Sequence, residues 1–105
     1  MTQVVQSVNG VSVRLTSEQW THIVEHHDDV AGHFHDVLEA VAHPDAVYEG
    51  NQGELLAVSS RLGARRLVVV YREASREDGF VITAFFTTRV GQIERRRLVW
   101  KRASS

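Results

Sequence analysis

Histidine is the side chain in this sequence best suited to proton transfer near neutral pH, and all six histidines lie between His22 and His43. The segment His22-Ile23-Val24-Glu25-His26 matches the H-x-x-E-H motif, in which two histidines bind zinc and the glutamate activates water. Such enzymes take a third protein ligand from a much larger scaffold, and both histidines lie on the flank of their predicted helix that faces away from its apolar stripe. We therefore expect no metal and no other cofactor.

His27 differs from the other histidines because it continues the apolar stripe of Trp20, Ile23 and Val24 at helical spacing. This spacing directs the imidazole toward the rest of the fold. Two interpretations remain open: a packing residue with one satisfied nitrogen, or a general acid or base beside an arginine-rich sheet. The other three histidines are interpreted as surface and capping residues: His33, His35 and His43.

Charge divides the chain into two opposite halves. Residues 1 to 60 contain one basic and nine acidic residues, whereas residues 61 to 105 contain eleven basic and four acidic residues. Ten of those eleven are arginine, whose planar guanidinium binds phosphate bidentately and stacks on bases. The basic half indicates either an RNA-binding surface or arginines that decorate a solvated sheet and pair with the acidic half.

The first half of the chain predicts a β-hairpin followed by two helices. Residues 4 to 8 and 11 to 15 flank Asn9-Gly10, a dipeptide typical of a two-residue hairpin turn. Thr16 and Gln19 form a capping-box pattern that starts a helix over residues 17 to 27. Helical spacing of apolar residues predicts a second helix over residues 30 to 42, which ends before Pro44.

After Pro44 the apolar period changes to two, which predicts strands at 45 to 49, 54 to 60, 65 to 73, 79 to 88 and 94 to 101. The short gaps between them favour antiparallel pairing. We therefore predict an α+β fold in one domain, residues 1 to 105: the hairpin and two helices pack on one face of a four- to five-stranded antiparallel sheet.

Alternation along residues 79 to 88 predicts which face of the sheet carries chemistry. One set of side chains forms the core: Phe80, Ile82, Ala84 and Phe86. The other set mixes apolar and polar side chains: Val81, Thr83, Phe85 and Thr87. Arg72 and Lys101 add charge to this second face. Burying such polar and charged groups without partners costs free energy, so we expect the face to be solvated or functional, and it is the candidate cleft.

Several protein classes are excluded by composition. The chain has no cysteine, which excludes a disulfide scaffold and a cysteine nucleophile and is consistent with a reducing cytoplasm. It has no run of about 18 apolar residues, and its first residues lack the blocks of a signal peptide. We expect a cytoplasmic protein with no membrane partner.

The order of several motifs resembles a known family. These motifs cover about residues 13 to 101: Leu15-Thr16-x-x-x-Trp20-x-His22-Ile23-x-x-x-His27, a helix from Phe34 to Val41 before Pro44-Asp45, Arg66-Leu67-Val68-Val69-Val70-Tyr71-Arg72-Glu73, and Asp78-Gly79-Phe80-Val81-Ile82-Thr83-Ala84-Phe85-Phe86-Thr87. They resemble the phage-type members of the barnase/EndoU/colicin/RelE-like (BECR) nuclease superfamily. These are metal-independent ribonucleases with helices followed by a four-stranded antiparallel sheet.

The resemblance implies a set of catalytic residues. The helix histidine of the family falls on His27, its sheet arginine on Arg72, and its strand threonines on Thr83 and Thr87. Members often have His-Pro-Glu where this chain has His27-Asp28-Asp29. Because the proline is missing, the alignment with the family motif can shift by one residue, so His26 is the other candidate.

The resemblance and the charge pattern together predict a metal-independent endoribonuclease of the toxin or RNA-processing type. Attack by the RNA 2′-OH needs a base, an acid for the leaving 5′ oxygen and donors for the phosphate charge. Histidine, arginine and threonine supply these functions, with Glu73 or water as the second proton-transfer group. Further basic residues are expected to bind the substrate: Arg66, Arg95, Arg97 and Lys101.

The alternative is a non-catalytic module whose arginine-rich sheet binds a protein or RNA while its histidines are structural. A second variant of this alternative places the basic sheet of one copy against the acidic helices of another. The expected partners are therefore RNA and, for a toxin, a protein antitoxin or immunity partner.

Overall fold

One mixed seven-stranded sheet and three helices make up the described part of the chain, residues 2 to 103 of a computed structural model. The elements, in chain order, are β1 Thr2–Gln6, β2 Ser12–Thr16, α1 Ser17–His26, α2 Phe34–Ala42, β3 Ala46–Glu49, β4 Leu55–Ser59, β5 Arg66–Glu73, β6 Gly79–Thr87, α3 Val90–Glu94 and β7 Leu98–Lys101. The α+β class is confirmed, but the predicted four- to five-stranded sheet is wrong.

The sheet has the order β1-β2-β6-β5-β4-β3-β7, and every neighbouring pair is antiparallel except β2 and β6. The fully antiparallel prediction fails at that pair because short gaps constrain only strands that are consecutive in the chain. β2 and β6 are separated by both long helices and a three-stranded meander, which is ample for a parallel connection. The hairpin thus extends the sheet instead of packing on it.

The hairpin turn is one residue longer than predicted. The backbone N–H of Ser7 donates to Val11 at 2.9 Å, which leaves Val8, Asn9 and Gly10 in the loop. Gly10 has a φ of 78°, the left-handed conformation that closes a three-residue hairpin loop. The side chains of Ser7 and Asn9 also donate to the Glu73 carboxylate at 2.5 and 3.0 Å.

α1 and α2 pack on one face of the sheet, which we call the helical face. The Thr16 hydroxyl accepts a hydrogen bond from the Gln19 backbone N–H at 3.1 Å, so the predicted cap starts α1. The predicted second helix is shorter than expected: a 3-10 turn at Asp28–Val30 precedes α2. Buried side chains of both helices meet strand residues in the main core, among them Ile23, Val37, Val41, Leu67 and Val69.

The opposite sheet face, which we call the open face, is covered in part by the unpredicted helix α3. Its Ile93 packs on Leu56, Val58 and Val68 in a second small core. The strand predicted over residues 94 to 101 is shorter than expected, because only residues 98 to 101 pair with β3. A helix of five residues with only two apolar side chains, Val90 and Ile93, is too short to give a periodic signal, so the sequence does not predict α3.

A β-bulge in β6 changes which side chains face the core. Val70 pairs with Thr83 and Tyr71 pairs with Val81, so Ile82 is the extra residue. The prediction that Phe80 and Ile82 lie in the core is therefore wrong, because Val81 is the buried residue before the bulge. After the bulge the prediction holds: Ala84 and Phe86 contribute to the main core, and Phe85 packs on the open face.

β6 begins at a glycine because three strands converge there. Gly79 pairs with Glu73 of β5 and with Val13 of β2. A Cβ atom on Gly79 would clash with the carbonyl oxygen of Arg72.

None of the helices formed by residues 2 to 103 is both long and apolar enough to cross a membrane.

The Tyr71 hydroxyl is a buried polar group in the core, and it leads to a prediction about stability. Tyr71 is fully buried, and its hydroxyl has no hydrogen-bond partner among the described residues. A buried unsatisfied hydroxyl costs about 1–3 kcal/mol, so we expect Tyr71→Phe to raise the free energy of unfolding by about 1 kcal/mol or more. Denaturant unfolding measures the change; the matched control Tyr48→Phe, at a half-buried site, is expected to change it less.

The same substitution has a pH signature. Burial, with a smaller contribution from Glu73, raises the pKa of Tyr71 above its ordinary value of 10.0. The unfolded chain therefore loses this proton at lower pH than the folded chain does. Ionisation of Tyr71 thus leaves the free energy of unfolding unchanged below pH 10 and lowers it as the pH rises above 10. Tyr71→Phe should flatten the alkaline loss of stability; an identical pH profile in both proteins would contradict this.

Candidate functional site

His27 lies where α1 ends, at the edge of β6. β2 pairs with only the first two residues of β6, and the Gln19 amide donates to the Ile82 carbonyl at 2.5 Å beyond that point. This bond places α1 along the unpaired part of the β6 edge. The half-buried His27 ring then lies 5.9 Å from the Phe85 ring, measured between centroids.

The environment of His27 separates its two interpretations. A packing histidine was expected to have one satisfied nitrogen, yet the His27 imidazole forms no hydrogen bond with any other described residue. Its backbone N–H instead donates to Ile23 at 2.8 Å and completes the helix. Both ring nitrogens therefore remain available to a bound molecule.

The threonines predicted as catalytic lie on either side of Phe85 on the open face. Thr83 pairs with Val70, and Thr87 pairs with Arg66 across the β5–β6 ladder. Cross-strand partners have their side chains on the same face, so Arg66 and Thr87 are neighbours. We call this group the His27 strip: His27, Arg66, Thr83, Phe85 and Thr87.

Arg72 shares the open face but lies at the other end of β5. It lies six positions along the strand from Arg66, which corresponds to roughly 20 Å. Its Nη2 donates to the Gln52 carbonyl at 2.9 Å, toward the β3–β4 turn. The structure therefore does not place Arg72 next to Thr87, although it groups Arg66 there.

A cavity of about 250 Å³ opens under α3 and adjoins the His27 strip at Arg66. Its polar lining includes Arg66, Tyr48, Glu94 and Lys101, so two predicted substrate-binding residues share it. Burial and, to a smaller degree, the Glu94 carboxylate raise the pKa of Tyr48 above its ordinary value. The α3 cavity is thus a polar hollow with both charge signs in its wall.

The remaining predicted substrate-binding residues lie between α3 and β7, on a connection and not on a strand face. Arg95 ends α3, and Arg97 forms a 3.4 Å ion pair with Glu49 while its side chain stays 79% exposed. Such an exposed pair contributes about 0–1 kcal/mol to stability, so another anion can readily replace Glu49 as the partner of Arg97. Arg95 forms no ion pair with any described residue.

The two oppositely charged halves of the chain neutralise each other in part. Three more arginines of the basic half pair with carboxylates of the acidic half at 3.2 Å: Arg61 with Glu39, Arg65 with Asp29, and Arg102 with Asp45. The interpretation that arginines pair with acidic residues therefore applies to this group. It does not apply to Arg66, Arg95 or Lys101, which form no ion pair within the described residues.

His33 forms contacts that its predicted role as a surface or capping residue does not include. Its Nδ1 lies 2.8 Å from the Asp36 carboxylate, and its ring packs edge-on to Phe86 at 5.1 Å. The Arg65 guanidinium lies 4.2 Å from the centroid of the same Phe86 ring. The three-residue spacing of His33 and Asp36 at the start of a helix was the available signal.

The H-x-x-E-H histidines lie on the exposed side of α1. The rings of His22 and His26 are 4.4 Å apart, and His26 Nδ1 bonds to the His22 carbonyl at 2.9 Å. No group of three or more potential ligands in residues 2 to 103 is arranged to hold a metal ion. His26, the alternative in the family frame, therefore faces away from the sheet.

The chain was compared with protein-family models, with curated proteins and with solved structures, and none of them matches it. Relationship to the BECR nucleases thus remains a resemblance of motifs. Function is therefore inferred from the geometry of the His27 strip and the α3 cavity.

The electrostatics of the α3 cavity generate a prediction about Tyr48. Glu94→Gln removes the negative charge that opposes ionisation, so the pKa of Tyr48 should fall but stay above 10.0, because burial is the larger cause of its rise. Ultraviolet titration of tyrosinate in a Tyr71→Phe background isolates Tyr48, since the chain has two tyrosines. The control Glu77→Gln carries the same charge change far from the cavity; equal shifts in both variants would contradict the assignment.

Proposed function

We propose that the protein is a metal-independent endoribonuclease whose active site is the His27 strip. The observation that supports this most is the half-buried His27 imidazole, which packs on Phe85 while both of its nitrogens stay unbonded. A proton-transfer group must be fixed in place and still reach its substrate. Among the six histidines, His27 is the one that packs on the open face.

The proposed reaction begins when His27 removes the proton of a ribose 2′-OH. The 2′ oxygen forms a bond to phosphorus, and the bond from phosphorus to the 5′ oxygen breaks. The products are a 2′,3′-cyclic phosphate and a 5′-OH. Water protonates the leaving 5′ oxygen in this scheme, because Glu73, the other group considered, is bonded to the hairpin turn.

Arg66 and Thr87 are suited to hold the phosphate. The Thr87 oxygen accepts a hydrogen bond from the Arg89 backbone at 2.9 Å, so its own proton is free to donate. The Arg66 guanidinium has one long bond, 3.5 Å, to the Ala64 carbonyl and keeps its other donors. This cross-strand pair supplies both a cation and a hydroxyl donor for charge that develops on the phosphate.

The rest of the open face provides a route for the RNA strand. The Phe85 ring can stack on a base, and the α3 cavity adds Lys101 beyond Arg66. Arg72, roughly 20 Å from Thr87 along the strand, binds a different phosphate of the same RNA in this scheme. Thr83 lies between them and contributes a second hydroxyl.

Wider assignments belong to the same proposal. Membership of the BECR superfamily, a toxin or RNA-processing role, a protein antitoxin or immunity partner, and a cytoplasmic location are supported by motif order, the basic half and the absence of cysteine.

The second candidate is a non-catalytic module that binds RNA or protein through the open face. It is favoured by the lack of a second proton-transfer side chain: among the described residues no other histidine accompanies His27 on this face, since His33 packs on the helical face beside Phe86. Binding without cleavage would identify this alternative.

Cleavage of labelled single-stranded RNA in excess EDTA tests the proposal. We expect His27→Ala to lower the rate about 100-fold or more, because a general base typically contributes that much. The control His26→Ala should cleave at the wild-type rate, and a DNA strand of the same sequence should remain intact because it lacks the 2′-OH. Wild-type activity in His27→Ala, or loss only in His26→Ala, would contradict the assignment.

The salt dependence of binding tests the RNA route on its own. With a non-cleavable 2′-O-methyl strand, the log-log slope of affinity against salt should be about −0.7 per phosphate contacted. Replacing Arg95, Arg97 and Lys101 by glutamine should make the slope less negative by about 2, which is three such contacts. The control Arg61→Gln, at an arginine paired with Glu39, should leave it unchanged. Absence of binding at low salt would reject both RNA candidates.

A further inference from the structure

The sheet has two outer strands, β1 and β7, and of the two only β7 is protected from edge-to-edge pairing by its own length, charge and register. β7 has four residues, includes Lys101 and contains a bulge, because Val99 is skipped between the pairs Val47–Trp100 and Tyr48–Leu98. Short length, a charged side chain and a bulge all protect an edge. β1 has five residues, no charge, no proline and an uninterrupted register with β2.

The outward side of β1 can be read from its pairing. Ser7 donates its backbone N–H to Val11, so Ser7 directs its backbone groups toward β2. In a regular antiparallel ladder this direction alternates, which turns the N–H and C=O groups of Thr2, Val4 and Gln6 away from β2. No strand of the described chain pairs with that side. Val4 is also the most exposed large hydrophobic residue described, at 56%.

We infer that β1 pairs antiparallel with β1 of a second copy of this chain, about a two-fold axis at Val4. Val4 then faces Val4 of the second copy, and Thr2 faces Gln6 of the second copy. The outward groups of these three residues form six backbone hydrogen bonds. The two seven-stranded sheets become one continuous sheet.

The sequence of β1 favours its own copy as the occupant. In this register the valine side chains meet each other, and each threonine hydroxyl meets a glutamine amide with which it can hydrogen-bond. Arg14, opposite Val4 in β2, is ion-paired with Asp78 and so adds little repulsion across the axis. A five-residue edge buries a small area, so the dimer is weak and reversible.

This dimer is independent of the proposed nuclease activity, because it uses none of the residues of the His27 strip. Sedimentation equilibrium of the full chain from about 10 μM to about 1 mM covers the range expected for a weak interface. The expected result is concentration-dependent dimerisation that Val4→Lys weakens about tenfold or more. The matched control Val99→Lys, at the bulged β7 edge, should leave the association constant unchanged.

Cysteine cross-linking tests the register, and the natural chain contains no cysteine to interfere. Facing Val4 residues have Cα atoms about 5.5 Å apart, within the range of a disulfide. Val4→Cys should therefore oxidise to a covalent dimer. Gln6→Cys should not, because the two Gln6 positions are offset by four residues, or about 13 Å.

Three outcomes would overturn the proposal. A protein that stays monomeric at every concentration has no such interface. A dimer that tolerates Val4→Lys but is lost in Val99→Lys uses β7. Equal cross-linking of Val4→Cys and Gln6→Cys indicates random collision and not a two-fold pairing at Val4.

Discussion

The bulge at Ile82 in β6 is the feature on which the arrangement of the candidate site depends. It reverses the side-chain alternation, so Val81 enters the core before it and Phe85 reaches the open face after it. It also lies just beyond the point where β2 stops pairing, and the Ile82 carbonyl there accepts the Gln19 amide. One extra residue therefore both turns Phe85 outward and anchors the helix that delivers His27 to it.

The basic residues of the second half of the chain fall into two groups in the folded molecule. Arginines near the helices pair with acidic residues of the first half, as in Arg61 with Glu39 and Arg65 with Asp29. On the open face, Arg66 and Lys101 form no ion pair with a described residue, although the Glu94 carboxylate lines the same cavity. The charge asymmetry seen in sequence is thus partly internal compensation and partly a basic surface.

Local patterns predicted local structure well. The cap at Thr16, the helix end before Pro44 and the meander of β3 to β6 all depend on neighbouring residues and appear as expected. The parallel β2–β6 pair joins segments more than 60 residues apart, which no local period encodes. The same limit applies to the candidate site. Helical spacing predicts that His27 points toward the sheet, whereas the separation of Arg72 from Thr87 depends on the register of β5 and β6, which local spacing does not encode.

The open face explains why a small domain keeps polar residues in half-buried positions. Its centre is apolar and α3 covers only part of it, through Ile93 on Leu56, Val58 and Val68. Extending the cover over Arg66 and the neighbouring threonines would bury a cation and two hydroxyls whose remaining donors have no partner among the described residues, at a cost of several kcal/mol. The fold therefore leaves this region accessible, and a phosphate is a ligand that would satisfy its donors.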